Sequence, residues 1–303
     1  MTIESPSQLS PSLALKYDRV REEIARAERV VVAFSGGIDS SLVAYLAGAV
    51  LGENAIAVTS GSKSLKRSDL ELAQSLARRW GLRHRVIVTD ELSKPDYRAN
   101  PTNRCFHCKT SLYEALAQIA REESIPVIYN GTNLDDLGDH RPGLIAADNF
   151  AVSSPLVAAG FNKQDIRDLA AHLGLENAMK PQSACLSSRF PYGTAIDEAK
   201  LGMVEAAESL LADIGFSQFR VRHHEEVARL ELVPQEFDLA LKHGERIHSE
   251  LQALGYRYIA MDLQGFRSGS LNESLVQFVQ PVKRGTQSLI ANHIPAVQLQ
   301  DDS

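Results

Sequence analysis

With 303 residues, a formal net charge of −6, 44% hydrophobic and 23% charged residues, the chain has the make-up of a soluble globular protein of one large or two ordinary domains. No stretch approaches the length of a membrane span, and the acidic balance disfavours an extended nucleic-acid channel. Three cysteines are too few for a disulfide framework, and the polar N-terminus lacks an apolar signal core; both features point to the cytoplasm, where thiols stay reduced.

Residues 1–12 read as a tail. Leu13, Tyr17, Val20, Ile24 and Ala27 then recur at helical spacing. Val30–Phe34 is an unbroken, mostly β-branched apolar run, the pattern of a strand buried on both faces. Ser35-Gly36-Gly37-Ile38-Asp39-Ser40 is a tight polar turn, after which Leu42, Val43 and Leu46 return to helical spacing. A glycine-rich loop joining a buried strand to a helix N-terminus suits phosphate, because the first helical N–H groups lack partners and the helix dipole favours an anion. Gly36 and Gly37 can take positive φ and let phosphate oxygens approach the backbone. The hydroxyls of Ser35, Ser40 and Ser41 can donate to them, and Ser40 can cap the helix. Asp39 would repel a phosphate unless it meets Mg²⁺ or holds the loop.

Short apolar runs at Ala55–Thr59, Arg85–Val88 and Pro126–Tyr129 alternate with helical patterns at Lys66–Trp80 and 109–120. Such alternation predicts an α/β fold, a Rossmann-like parallel sheet with helices on both faces. Ligands of these sheets sit at the carboxyl ends of the strands, which gathers the SGGIDS loop, Thr59-Ser60 and Asn130-Gly131-Thr132 around one crevice. Asn130–Gly143 is too polar and turn-rich for helix or strand and reads as a binding loop. There Gly131 suits close approach to a nucleotide, and Asp135, Asp136 and Asp139 suit a metal or substrate. Asn162 caps a helix at Lys163–Leu173.

Near Pro181 and Pro191 the pattern changes. A long helix from Asp197 to Ile214 precedes strand-like runs at Phe219–His223 and Val227–Leu232. A helix from Phe237 to Leu254 and a strand within Tyr256–Leu263 follow. Strands with no helix between them predict antiparallel pairing in a smaller C-terminal α+β domain. The division is 13–190, 191–284 and a tail at 285–303.

Cys105 and Cys108 form a C-x-x-C in NPTNRCFHCK, and Cys185 lies in QSACLSSRFPYGT. A zinc site lacks an evident fourth ligand beyond His107. A redox pair should open a helix in a thioredoxin-like setting, whereas this one follows the third strand. Two readings remain. In one, the three thiols hold three irons of a [4Fe–4S] cluster; in the other, Cys185 is a lone nucleophile whose thiolate Arg189 favours. Lys109, beside Cys108, suits a phosphate or the thiolate. Arg220 and Arg222, two apart on a strand, share a face and suit a phosphate, as does Arg267 after the last strand. Glu208 and Glu231 are candidate metal ligands, with an acid from 235–238 as a third.

The loop is not the Walker type, for it has no lysine in the turn. The S-G-G-x-D-S signature resembles the PP-loop ATP pyrophosphatases, and its five fixed positions arise by chance at roughly 10⁻⁶ per window. With RPG at 141–143, SSRFPYGT at 187–194, RVR at 220–222 and GFRSG at 265–269, residues 15–275 resemble the LarE sulfur transferases. That resemblance implies ATP and Mg²⁺ as cofactors and a pyridinium-3,5-biscarboxylic acid mononucleotide as substrate. Its carboxylates are adenylylated with loss of pyrophosphate and then thiolated, on the way to the nickel-pincer cofactor of lactate racemase. One branch of that family takes sulfur from its own cysteine, and another has three cysteines and a cluster. This chain's C-x-x-C plus Cys185 fits the second. A homo-oligomer without nucleic-acid or membrane partners is expected. The competing readings are a PP-loop tRNA thiolase, which should carry a basic RNA-binding surface, and an ATP-binding regulator that releases no pyrophosphate.

Overall fold

The computed structural model describes residues 9–138, 142–181, 183–267 and 270; the expected tail at 285–303, Asp139, Arg141 and the end of the GFRSG motif lie outside them. Among the described residues seven strands form: β1 Val30–Ala33, β2 Ala55–Ser60, β3 Arg83–Ile87, β4 Val127–Tyr129, β5 Phe219–His224, β6 Val227–Leu232 and β7 Tyr258–Met261. The helices up to the fourth strand are α1 Pro11–Arg26, α2 Ile38–Leu51, α3 Arg67–Arg79, α4 Pro95–Arg98 and α5 Arg104–Glu122. Those after it are α6 Leu134–Leu137, α7 Pro142–Asn149, α8 Pro155–Ala158, α9 Lys163–His172, α10 Glu198–Ile214, α11 Phe237–Lys242 and α12 Gly244–Ala253.

The first four strands make a parallel sheet in the order β3-β2-β1-β4, with Val30 opposite both Ala55 and Val127. Alternation along the central strands sends side chains to two cores. Val30, Val32, Ala55 and Ala57 join α1, α2 and α9 on one face; Val31, Ile56 and Val58 join Tyr113, Leu116 and Ile119 of α5 on the other. This is the doubly covered parallel sheet expected from the apolar runs. The second sheet, β5-β6-β7, pairs β5 and β6 antiparallel, whereas β6 and β7 run parallel because α11 and α12 cross between them. Its core takes Ala207, Leu210 and Leu211 from α10. Leu186, Phe190 and Ile196 of the connecting stretch pack with Leu201 and Val204 of α10 in a cluster of their own. The described residues up to Arg267, both sheets included, form one compact unit.

Several helices differ from expectation. α1 starts at Pro11, inside the expected tail, because Ser10 Oγ accepts from Leu13 N–H at 3.2 Å and proline fits the first turn. α5 begins at Arg104, ahead of both C-x-x-C cysteines, rather than at 109. Residues 134–137 and 142–149 are helical; Asn133 and Asp136 form a capping box that starts the first of them. The helix expected over 237–254 breaks at His243 into α11 and α12.

Candidate active site

The loop after β1 is built as a phosphate cradle. Gly36 has φ +72°, and a Cβ there would lie 3.2 Å from that of Ala73 on α3, so only glycine fits without strain. Gly37, not Ser40, is the N-cap of α2. Ser40 instead braces the loop from within the first turn: its Oγ accepts from Ser35 N–H at 3.1 Å, donates to Gly37 C=O at 3.0 Å and lies 3.0 Å from Ser35 Oγ. Ser41 is fully buried, accepting from Asn177 Nδ2 at 2.8 Å, so its hydroxyl does not face a ligand. The same amide donates to Gly36 C=O at 2.9 Å and so fixes that carbonyl.

A crevice of about 240 Å³ opens over this loop. Ser35, Gly37, Asp39, Ser40, Lys109 and Gly131 of the expected residues line it, together with Tyr113, Asn130 and Asp136. Thr59 does not. It is fully buried at the end of β2, where its Oγ1 bonds His84 Nε2 at 2.8 Å, and Gly36 lies behind the loop against α3. Gly131 packs against the start of α2, where a Cβ would fall 2.6 Å from Ser40 N. It keeps the helix N-terminus open rather than touching it with a side chain. Gly131→Ala should therefore push the loop aside, at about 1–3 kcal/mol of strain, and weaken nucleotide binding about tenfold in calorimetric titration.

The Asp39 carboxylate meets Lys163 Nζ at 2.6 and 2.5 Å and Asn133 Nδ2 at 3.4 Å. Lys163 opens α9, whose cap is Asn162 as expected. The acid thus carries a cation of its own beside the phosphate position and, with Asp136, is a carboxylate that Mg²⁺ accompanying a nucleotide would meet there.

Cys105 and Cys108 lie in the first turns of α5, and Cys185 is the N-cap residue of a 3₁₀ turn, Leu186–Arg189. Arg104 ties the two together. It is buried, bonds the Asn100 side chain, and donates to Ser187 C=O at 2.9 Å. Tyr97 OH reaches Ser187 Oγ at 2.6 Å. All three cysteines are free thiols. Burial first, then the charge of Cys185, pushes the Cys108 thiol up to about 12 and raises that of Cys105. The helix opening used as a reason against a redox pair is therefore present, although the sheet is not thioredoxin-like. Among the described residues, no three His, Cys, Asp or Glu side chains gather as a bound metal requires. The expected [4Fe–4S] site gains no support from this arrangement.

Lys109 sits in α5 four residues after Cys105, hence on the same face, and its side chain reaches the phosphate crevice beneath Gly143. Arg189 does not attend the Cys185 thiol. Its Nε and Nη2 grip Glu208 at 2.8 and 2.9 Å, and Nη1 donates to the carbonyls of Ala184 and Cys185 and to Ser188 Oγ. Glu208 also meets Lys66 at 2.5 Å, and Glu231 is held by Arg222 at 2.7 Å and Arg229 at 3.0 Å. Both carboxylates proposed as metal ligands are thus buried and already neutralised by cations. Arg222 faces Glu231 and Ser188 C=O, while Arg220 stacks over Phe266 at 4.9 Å. Burial, with Arg189 and Arg222 nearby, lowers the pKa of Arg220 to about 10, a sign of crowded positive charge. Arg267 lies 3.9 Å from Asp262.

A family model described as NAD synthase matches residues 14–101. An uncharacterised protein of Synechocystis is 40% identical over 88% of this chain and all of its own. A pyridinium-3,5-bisthiocarboxylic acid mononucleotide synthase of Lactiplantibacillus plantarum is 38% identical over 88% of this chain and 97% of its own. The chain belongs to that synthase family, LarE. It is therefore an enzyme, and its SGGIDS turn is the PP-loop of a LarE protein. A tRNA-specific 2-thiouridylase of Zymomonas mobilis is a more distant likeness, 28% identical over 57% of each chain.

Sequence reading missed Lys163, Asn177 and Arg104. Their partners lie 124, 141 and 83 positions away, so no local spacing marks them. The capping signal at Asn162 placed the helix carrying Lys163, but nothing in it named Asp39 as the target.

Proposed function

We propose that this LarE protein activates a carboxylate of pyridinium-3,5-biscarboxylic acid mononucleotide with ATP and replaces one carboxylate oxygen by sulfur. The carboxylate oxygen attacks the α-phosphorus, and pyrophosphate leaves into the cradle of Ser35, Gly37 and Ser40. The acyl adenylate carries AMP as a good leaving group. The Cys185 thiolate displaces it and forms a thioester. Loss of the Cys185 Hα as a proton then breaks the Cβ–Sγ bond, freeing the thiocarboxylate and leaving dehydroalanine. Residues 13–190 would perform activation, and Arg220, where positive charge crowds, is the proposed holder of the substrate phosphate. Unpaired thiols suit the reducing cytoplasm.

One observation supports this reading above others: α5 carries Lys109 into the phosphate crevice and Cys105 and Cys108 one turn away, beside the turn that Cys185 caps. The test is incubation with ATP and the dicarboxylate mononucleotide, following pyrophosphate and the intact mass of the protein. Substrate-dependent pyrophosphate and loss of one H₂S from the polypeptide are expected. Cys185→Ala should release pyrophosphate yet form no thiocarboxylate. An unchanged mass with product formed would shift the source to a sulfur bound by the three thiols. Pyrophosphate released on tRNA instead would favour the thiolase reading, which the net charge of −6 opposes. ATP binding without pyrophosphate would leave a regulator.

A further inference from the structure

Asp69 lies in the first turn of α3 and is buried, yet its carboxylate does not serve its own helix. Oδ1 accepts from Lys180 Nζ at 2.6 Å and Oδ2 from Ser183 Oγ at 2.7 Å. Both donors lie on the stretch that leads into Cys185. Among the described residues of 181–185, no backbone N–H bonds another backbone group, so side chains fix this stretch. The next anchor is Leu186 N–H to Ser64 C=O at 2.8 Å, just ahead of α3. Arg189 and Ser188 hold the Cys185 carbonyl from the following turn, so Asp69 is the hold on the side that leads into the cysteine. The same helix packs Ala73 against the PP-loop at Gly36. One rigid element therefore touches the loop that makes the adenylate and the segment that presents the sulfur.

We infer that Asp69 is a positioning residue for the sulfur step: its two-pronged hold on Lys180 and Ser183 sets where the Cys185 thiol stands relative to the acyl adenylate. This rests on the reading that Cys185 delivers the sulfur. Asp69 is not among the residues that line the PP-loop crevice, so activation should proceed without it. A misplacement of about 1 Å costs roughly 10²-fold in a transfer that depends on attack geometry.

The experiment measures thiocarboxylate formed per pyrophosphate released in single turnovers of the full chain with the dicarboxylate mononucleotide. The ratio counts folded molecules alone, so lost stability does not move it. In Asp69→Ala the ratio should fall about 10²-fold, with KM for ATP and substrate-dependent pyrophosphate release within about threefold of the original. Asp69→Asn, which keeps an acceptor for Ser183 but loses the charge facing Lys180, should fall between and serves if the alanine variant does not fold. Asn177→Ala, which frees the Gly36 carbonyl, should do the reverse, slowing pyrophosphate release with the ratio unchanged. An Asp69 variant whose ratio stays at the original value, or which slows both products alike, overturns the inference. If the unaltered chain releases no pyrophosphate, or keeps its mass while making product, the underlying reading fails instead, and the inference with it.

Discussion

Glu208→Ala is expected to lower folding stability by about 3–5 kcal/mol, because it strands the Arg189 guanidinium, fully buried, and half-buried Lys66 without a counter-charge. At about 2–4 °C per kcal/mol for a chain of this size, the thermal midpoint should drop by roughly 6–20 °C. The loss also frees Val221 N–H, which donates to Glu208 at 3.1 Å, so the start of the second sheet loosens with it. Pairing the change with Arg189→Met should recover part of the loss, since removing both charges is far milder than removing one. A drop below about 1 kcal/mol in calorimetry would show that the pair is not the anchor described here. The pH dependence follows from the same contact. Burial alone would raise the Glu208 pKa, but Arg189 first and Lys66 after it bring it down to about 2. A carboxylate whose folded pKa lies below its unfolded value stabilises above the unfolded pKa of about 4.3 and loses that contribution as pH falls toward 2. Acid unfolding between these limits should accordingly be blunted in Glu208→Ala, whose stability has no such contribution to lose.

Lys163→Ala is expected to reduce kcat/KM for ATP by roughly 30–100-fold, with little change in stability. The ammonium meets both oxygens of Asp39, and Asp39 lines the phosphate crevice. Without it a bare carboxylate faces a polyanion, and like charges about 4 Å apart repel by as much as about 4 kcal/mol near a protein surface, before screening. Lys163→Arg should restore most of the rate. In the double variant with Asp39→Asn the loss should shrink, because the repelling charge has gone. Pyrophosphate release against ATP concentration reads all three. An unaltered KM in Lys163→Ala would mean that Asp39 is neutralised by the metal ion alone.

Local features were legible. Val30–Phe34 and the SGGIDS turn declared a buried strand, a glycine-dependent bend and a helix start within fifteen residues, and the doubly covered sheet followed. What failed was of two kinds. Helix starts without apolar periodicity, such as Arg104 behind Pro101 and Asn103, gave no pattern to count, so the helix was expected only from 109, after both cysteines. Charged side chains were assigned to ligands that in fact satisfy one another. Arg189, Arg222, Glu208 and Glu231 have the residue types of a phosphate or metal site, yet each is desolvated and finds its partner in the chain. Composition cannot separate these cases, because burial decides them and burial is a property of the whole fold.

The helix α5 has a consequence for wasted fuel. Its one continuous run from Arg104 to Glu122 brings Lys109 into the phosphate crevice, while Arg104 at its start donates to the carbonyl of Ser187, two residues after Cys185. On the reading that Cys185 delivers the sulfur, this one helix ties activation to transfer, and a water-sensitive anhydride is consumed where it is made. Hydrolysis without product should therefore be rare, and the nucleotide used per sulfur inserted should stay close to one even when substrate is scarce.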